Sequence, residues 1–214
     1  MEFITNFIDL FMNLDKHLNN YADQYGIYIY LIIFLIIFCE TGLVITPFLP
    51  GDSLVFATGA LAATGAVDII TMLILLCFAA ILGDTTNYHI GHMLRKKILD
   101  HKKIKFIKYE YVEKTQGFFK KHGSKTIILA RFVPIIRTFA PFVAGVGTMP
   151  YKTFLSFNII GGIIWVSSFI SAGYFFGNLP IIKENFSFVV LGIIIVSLIP
   201  GLVTIIKTKL KNIN

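Results

Sequence analysis

Between Glu40 and Asp52 the chain reads Glu-Thr-Gly-Leu-Val-Ile-Thr-Pro-Phe-Leu-Pro-Gly-Asp. An apolar run that opens at Gly26 carries a carboxylate at Glu40 and stays apolar to Leu49. Pro47, Pro50 and Gly51 then break it, and Asp52 follows. The next apolar piece, Leu54 to Val67, falls short of the roughly 20 helical residues that cross a hydrocarbon core of about 30 Å. Prolines and glycine at membrane depth free backbone groups that lipid cannot satisfy, so such backbone must be buried in protein or line a wet cavity. Carboxylates at that depth are costly and mark function by default. The stretch therefore reads as a broken, re-entrant hairpin that carries acids into the membrane.

Composition sets the class. Of 214 residues 56% are hydrophobic and 14% charged, with a mean hydropathy of +0.76, which excludes an ordinary soluble domain and fits a polytopic helical membrane protein. Cys39 and Cys77 lie inside apolar runs and read as small packing residues rather than a disulfide. The first residues are acidic and no small-residue cleavage site follows the first apolar run, so no signal peptide is expected. The net charge of +7 does not point to nucleic acid. Of 19 Lys and Arg, 11 fall between Arg95 and Lys125, and Lys207, Lys209 and Lys211 sit near the C-terminus. By the positive-inside rule both regions are cytoplasmic, beside anionic headgroups.

Along the chain, Phe3, Phe7, Ile8, Phe11, Leu14 and Leu18 at helical spacing predict an interfacial amphipathic helix over residues 1–20. A first spanning helix begins near Tyr25. The first hairpin plus a span occupies 40–94, and the small residues Gly59 to Gly65 permit close helix packing. The basic cytoplasmic segment is 95–123, with a short helix around Tyr109 to His122. A second broken stretch and a third span occupy 124–177, where Arg131, Pro134, Arg137 and Pro141 interrupt apolar sequence. A last span is expected over 186–206. The whole, 1–214, reads as a single membrane domain.

The two broken stretches belong to an internal repeat. Gly59 and Gly145 are each followed 29 residues later by a Tyr-x-x-Gly turn, Tyr88 to Gly91 and Tyr174 to Gly177, at a constant offset of 86. A hairpin returning to its own side plus one span makes one net crossing per unit, so the second unit starts from the opposite face. The expected fold is all-α, a polytopic bundle with two opposed re-entrant hairpins in an inverted repeat. That arrangement points to a transport site near the midplane. Both termini are expected in the cytoplasm.

Glu40 and Asp52 in one half and Arg131 and Arg137 in the other are the candidate substrate-binding and transport residues. Unpaired, each would cost at least a few kcal/mol at the bilayer centre, roughly. One reading is a set of buried salt bridges that lock the hairpins. The other uses guanidinium groups, which hold phosphate with bidentate geometry, beside carboxylates able to take up a proton. Pro50, Asp84, Asn87, Pro134 and Asn158 are weaker candidates for lining the cavity. His89 and His92, one turn apart, lack enough further ligands for a metal and read as a wet interfacial pair. Asn158, Gly162 and Trp165 share one helix face and read as helix contacts. With no Gly-x-Ser-x-Gly and no His-Glu-x-x-His, no hydrolase chemistry is expected, nor any metal or cofactor.

Glu40, the Phe48 to Asp52 motif Phe-x-Pro-Gly-Asp, Arg131-Phe-x-Pro-x-x-Arg137, Ala144-Gly145, Met149, Phe154, Asn158 and Trp165 together resemble the DedA family, whose shared unit is the VTT, or SNARE-associated, domain. The resemblance covers nearly the whole chain. It implies two facing re-entrant hairpins, a domain shared with eukaryotic lipid scramblases, and functional acids and arginines at Glu40, Asp52, Arg131 and Arg137. It further implies a bacterial inner-membrane transporter of undecaprenyl phosphate or phospholipid, with proton-dependent action, rather than an enzyme. A phospholipid flippase or scramblase, a proton-dependent small-solute antiporter, and a non-transporting envelope scaffold are the alternatives. Membrane lipids and protons are the expected partners, and a homo-oligomer is compatible with the sequence.

Overall fold

The computed structural model describes residues 26–43, 51–99, 109–147, 149–177 and 179. The expected interfacial helix at 1–20, the last span at 186–206, Pro50, and most of the basic stretch before Tyr109 lie outside these residues. The regular elements among the described residues are all helices: α1 (Tyr28–Gly42), α2 (Gly51–Ala63), α3 (Ile69–Leu99), α4 (Tyr109–His122), a 3-10 turn (Gly123–Lys125), α5 (Thr126–Ala130), α6 (Pro134–Val146) and α7 (Tyr151–Phe176).

Two helices are long and apolar enough to cross a membrane, α3 over Ile69–Arg95 and α7 throughout. At 1.5 Å per residue the 26 residues of α7 reach about 39 Å, more than a hydrocarbon core. Their outer faces are apolar: Ile70, Ile74, Phe78 and Leu82 form one exposed stripe on α3, and Ile159, Ile160, Ile163 and Ile164 another on α7. The inner faces carry Asp84, Asn87 and Asn158, all buried. A surface of large apolar side chains around a polar interior is the pattern that lipid as solvent selects.

The first expected span is shorter than the sequence reading. α1 has 15 residues, about 22 Å of helix, and forms the incoming arm of a hairpin whose return arm is α2. The Tyr30 hydroxyl accepts a 2.8 Å hydrogen bond from the amide of Asp68, at the start of α3, while Gly42, at the far end of α1, packs on Gly83. Thus α1 runs alongside α3, and its tip reaches only to Gly83. From Asp68 to Gly83 the axis of α3 advances about 22 Å.

In the second half, α5 is five residues long and unwinds through Arg131–Val133. Val133 is extended at φ −124°, ψ 101°, and Pro134 opens α6, as the clash between proline and its predecessor requires. α6 then returns beside α3. Tyr88 donates to the carbonyl of Met149 at 2.7 Å, and Asn158 Nδ2 donates to the carbonyl of Ile81 at 3.0 Å, so α3 and α7 run antiparallel.

The repeat is packed crosswise. A Cβ at Gly59 of α2 would strike the Ile170 carbonyl of α7 and lie 2.9 Å from the Tyr174 amide. A Cβ at Gly145 of α6 would strike the Tyr88 carbonyl of α3 and lie 2.9 Å from the His92 amide. Each hairpin's return arm therefore packs on the long helix of the other half, through glycines 86 residues apart that meet helix positions 82 residues apart.

Candidate functional site

The two hairpin tips meet, and the charged residues of the two halves meet with them. Arg137, one turn into α6, places Nη1 2.7 Å from Asp52 Oδ1 and Nη2 3.3 Å from Glu40 Oε1. Asp52 enters from the first turn of α2 and Glu40 from the last turn of α1. Glu40 Oε1 also accepts the Gly51 amide at 3.2 Å, which ties the end of one arm to the start of the next. Gly51 has no side chain there because a Cβ would collide with the Glu40 carboxylate.

Arg131 makes a second cluster. Its Nη2 lies 2.6 Å from Asp84 Oδ2 and 2.6 Å from Asn158 Oδ1, and the residue is only 2% exposed. Gly161 and Gly162 of α7 make room for it: a Cβ at Gly161 would stand 3.2 Å from its Cδ and Nε. The break at Arg131–Val133 turns both arginines toward one indole. The guanidinium carbon of Arg137 lies 4.2 Å from the Trp165 ring centroid and that of Arg131 6.0 Å from it. In an unbroken helix, six residues would set them about 120° apart around the axis.

Asn87 joins the two tips from α3. Its Nδ2 donates to the Thr41 carbonyl at 3.2 Å and to the Thr138 carbonyl at 2.9 Å. Of the sequence candidates, the structure gathers Glu40, Asp52, Asp84, Asn87, Arg131, Arg137 and Asn158 into one buried region. Pro134 contributes the backbone break. His89 and His92 stand apart and exposed, in ring contact with Tyr88 and, for His89, Tyr151.

Sequence reasoning missed Trp165. It assigned that residue to helix packing, whereas its indole N–H donates to Asp52 Oδ1 at 2.9 Å and its face carries Arg137. The signal was present in the spacing, because Asn158, Gly162 and Trp165 fall on one face of α7, the face that meets both arginines. Charge-poor side chains on that face read as packing because their partners lie in the other half of the chain.

Comparison with known proteins shows the family. The VTT domain matches residues 49–175. The chain is 51% identical over 173 residues to Protein DedA of Escherichia coli K12, covering 80% of this chain and 79% of that one. The chain belongs to the DedA family of VTT-domain membrane proteins. It is also 44% identical to an uncharacterized membrane protein of Mycobacterium leprae, across 77% of this chain and 73% of that one. A third relative, the inner membrane protein YghB of Escherichia coli K12, is 33% identical across 68% and 67%. No solved structure matches the chain. As a DedA-family chain it is a membrane protein. The VTT match spans α2 to α7 almost entire, so Asp52, Asp84, Arg131, Arg137 and Trp165 fall inside the family's domain, while Glu40 precedes its matched start.

Proposed function

We propose that this DedA-family chain is a lipid transporter of the bacterial plasma membrane. It moves a phosphate-bearing lipid, undecaprenyl phosphate, between leaflets in exchange for a proton change at the charged site. In this reading the α1–α2 and α5–α6 hairpins are re-entrant and enter from opposite faces as an inverted repeat, with the basic segment from Arg95 in the cytoplasm.

One observation carries the reading. Arg131 Nε, Arg131 Nη1 and Arg137 Nη2 are buried with no hydrogen-bond partner among the described residues. Each is a donor on a permanently charged group, and a buried donor left unmade costs about 1–3 kcal/mol or more. Three such donors at hairpin tips form a site that an anion with several acceptor oxygens would complete, which describes a phosphate headgroup.

The charge count suggests how loading is coupled. Glu40, Asp52 and Asp84 face two arginines, so the site already carries a formal excess of one negative charge. A phosphate adds more, and a buried like-charge excess is unfavourable. Protonation of one carboxylate as the lipid enters removes that conflict. Glu40 is the carboxylate suited to it: its contact with Arg137 is the longer, and its Oε2 has no hydrogen-bond partner.

The test is binding of a short-chain polyprenyl phosphate, and of the matching alcohol, to the purified protein and to Arg137→Lys. The expected result is preference for the phosphate and a loss of about ten- to a hundredfold in Arg137→Lys, equivalent to one charge-assisted hydrogen bond of roughly 1.5–3 kcal/mol. Equal affinity of the wild type for phosphate and alcohol would remove the phosphate reading and favour hairpins merely locked by salt bridges.

A further inference from the structure

We infer that Trp165 is the positioning residue of this site, holding Asp52 as the standing partner of Arg137 and leaving Glu40 as the partner that exchanges. The division of labour among the two acids rests on the transport reading above; the role of the indole does not.

The geometry distinguishes the acids. Asp52 Oδ1 accepts two hydrogen bonds, from Arg137 Nη1 at 2.7 Å and from Trp165 Nε1 at 2.9 Å. The same indole lies with its face 4.2 Å from the Arg137 guanidinium carbon, close enough for a cation–π attraction that is stronger when desolvated. Carboxylate, guanidinium and indole therefore close a three-membered contact in which each touches the other two. Trp165 itself is fully buried, and Phe169 of the next helical turn lies against its ring at 6.0 Å, so the ring is not free to follow a moving partner. Glu40 has no side-chain brace of this kind; its Oε1 accepts instead the Gly51 backbone amide at 3.2 Å. It meets Arg137 only at 3.3 Å, and the Nη2 involved makes no hydrogen bond.

The arrangement also spans the repeat. Asp52 belongs to α2 and Arg137 to α6, the return arms of opposite hairpins, while Trp165 belongs to α7, on which α2 packs through Gly59. The indole therefore fixes a pair formed between two elements that are otherwise joined to different long helices. An indole N–H fits this role because it only donates and cannot compete for Arg137. A Phe at 165 would keep the ring face for the cation and lose only the tether on Asp52.

Trp165 is the chain's one tryptophan, so the unlabelled protein reports on it alone. The experiment is ultraviolet resonance Raman spectroscopy of the purified full chain in detergent, reading the indole marker of N–H hydrogen bonding. The wild type should show a bonded indole, Asp52→Ala an unbonded one, and Glu40→Gln no change. Should Asp52→Ala fail to fold, Asp52→Asn keeps the shape with a weaker, neutral acceptor and should shift the marker part of the way. An unbonded indole in the wild type, or equal shifts in the Asp52 and Glu40 variants, would overturn the inference.

Binding of the short-chain polyprenyl phosphate then tests the pair. Trp165→Phe should weaken it about tenfold in the wild-type background and have no further effect in Asp52→Asn, because the indole acts through that carboxylate. Additive losses in the double variant would also overturn the positioning role. If the wild type binds phosphate no better than alcohol while the Raman marker behaves as expected, the transport reading fails and the positioning of Asp52 by Trp165 stands.

Discussion

At the residue scale, the two arginines hold different positions. Arg131 is clamped by Asp84 and Asn158, two short contacts to a single nitrogen, in a groove cleared by paired glycines. Arg137 is shared between Asp52, held by an indole N–H, and Glu40, held by a backbone amide. A buried ion pair rarely adds net stability, but removing one member leaves an uncompensated charge. Glu40→Gln is the informative change, because it removes the charge that a proton would otherwise neutralise. In the wild type, loading the phosphate lipid should take up about one proton per lipid, so affinity should rise as pH falls. Calorimetry in buffers of different ionisation enthalpy measures that uptake. Glu40→Gln should bind the lipid with no proton uptake and with affinity flat in pH over the same range. Proton uptake unchanged in Glu40→Gln would assign the proton to another group.

At the element scale, the crosswise packing of the repeat makes two glycines equivalent. A methyl group at Gly59 or Gly145 meets backbone of the opposing long helix, which cannot step aside as a flexible side chain can. Overpacking of this kind costs typically about 1–3 kcal/mol, so Gly59→Ala and Gly145→Ala should both lower the thermal unfolding midpoint in detergent. Gly117 in α4 faces open space, and Gly117→Ala should raise the midpoint instead, since alanine is the better helix former by up to about 1 kcal/mol. An unchanged midpoint in both Gly59→Ala and Gly145→Ala would mean that the return arms do not sit on the long helices this closely. The start of α3 carries a separate, pH-dependent contribution. The Thr71 hydroxyl and amide hold the exposed Asp68 carboxyl below the usual carboxylate range, with the amide 2.7 Å from Oδ2. For a carboxyl lowered on folding, the stabilisation is complete above its unfolded value and is lost as pH falls through its folded one. Hydrogen-exchange protection of the first α3 turn should therefore decline in acid, and Asp68→Asn should remove that decline.

At the scale of the whole molecule, most of the fold was legible because lipid imposes simple rules. Apolar length identified α3 and α7, and a short helix was expected around Tyr109 to His122, where α4 lies. The breaks were visible because Pro134 and Gly51 have few other uses at that depth. The charged residues were legible individually, but their pairing was not. Nothing local to Arg131 names Asp84 rather than Glu40 as its partner, because that choice is made by the antiparallel setting of α3 and α7. Trp165 was obscured for the same reason. The crosswise packing also decides the last prediction, which concerns topology. Thr64 lies at the open end of the first hairpin, where α2 leads into α3, and Lys125 at the entry to the second, and both are exposed. The long helices α3 and α7 are related by the repeat and run in opposite directions. If they cross the bilayer, the corresponding hairpins must enter from opposite faces. With Cys39 and Cys77 replaced by alanine, single cysteines at Thr64 and Lys125 should therefore react with an impermeant thiol reagent from opposite sides. By the positive-inside rule the Lys125 side is cytoplasmic, because the basic segment from Arg95 leads into it. In intact cells Thr64→Cys should be labelled and Lys125→Cys should not, with the order reversed in inside-out vesicles. Labelling of both positions from the same side would mean that α3, the long helix between them, does not cross the membrane, and the opposed arrangement would fall with it.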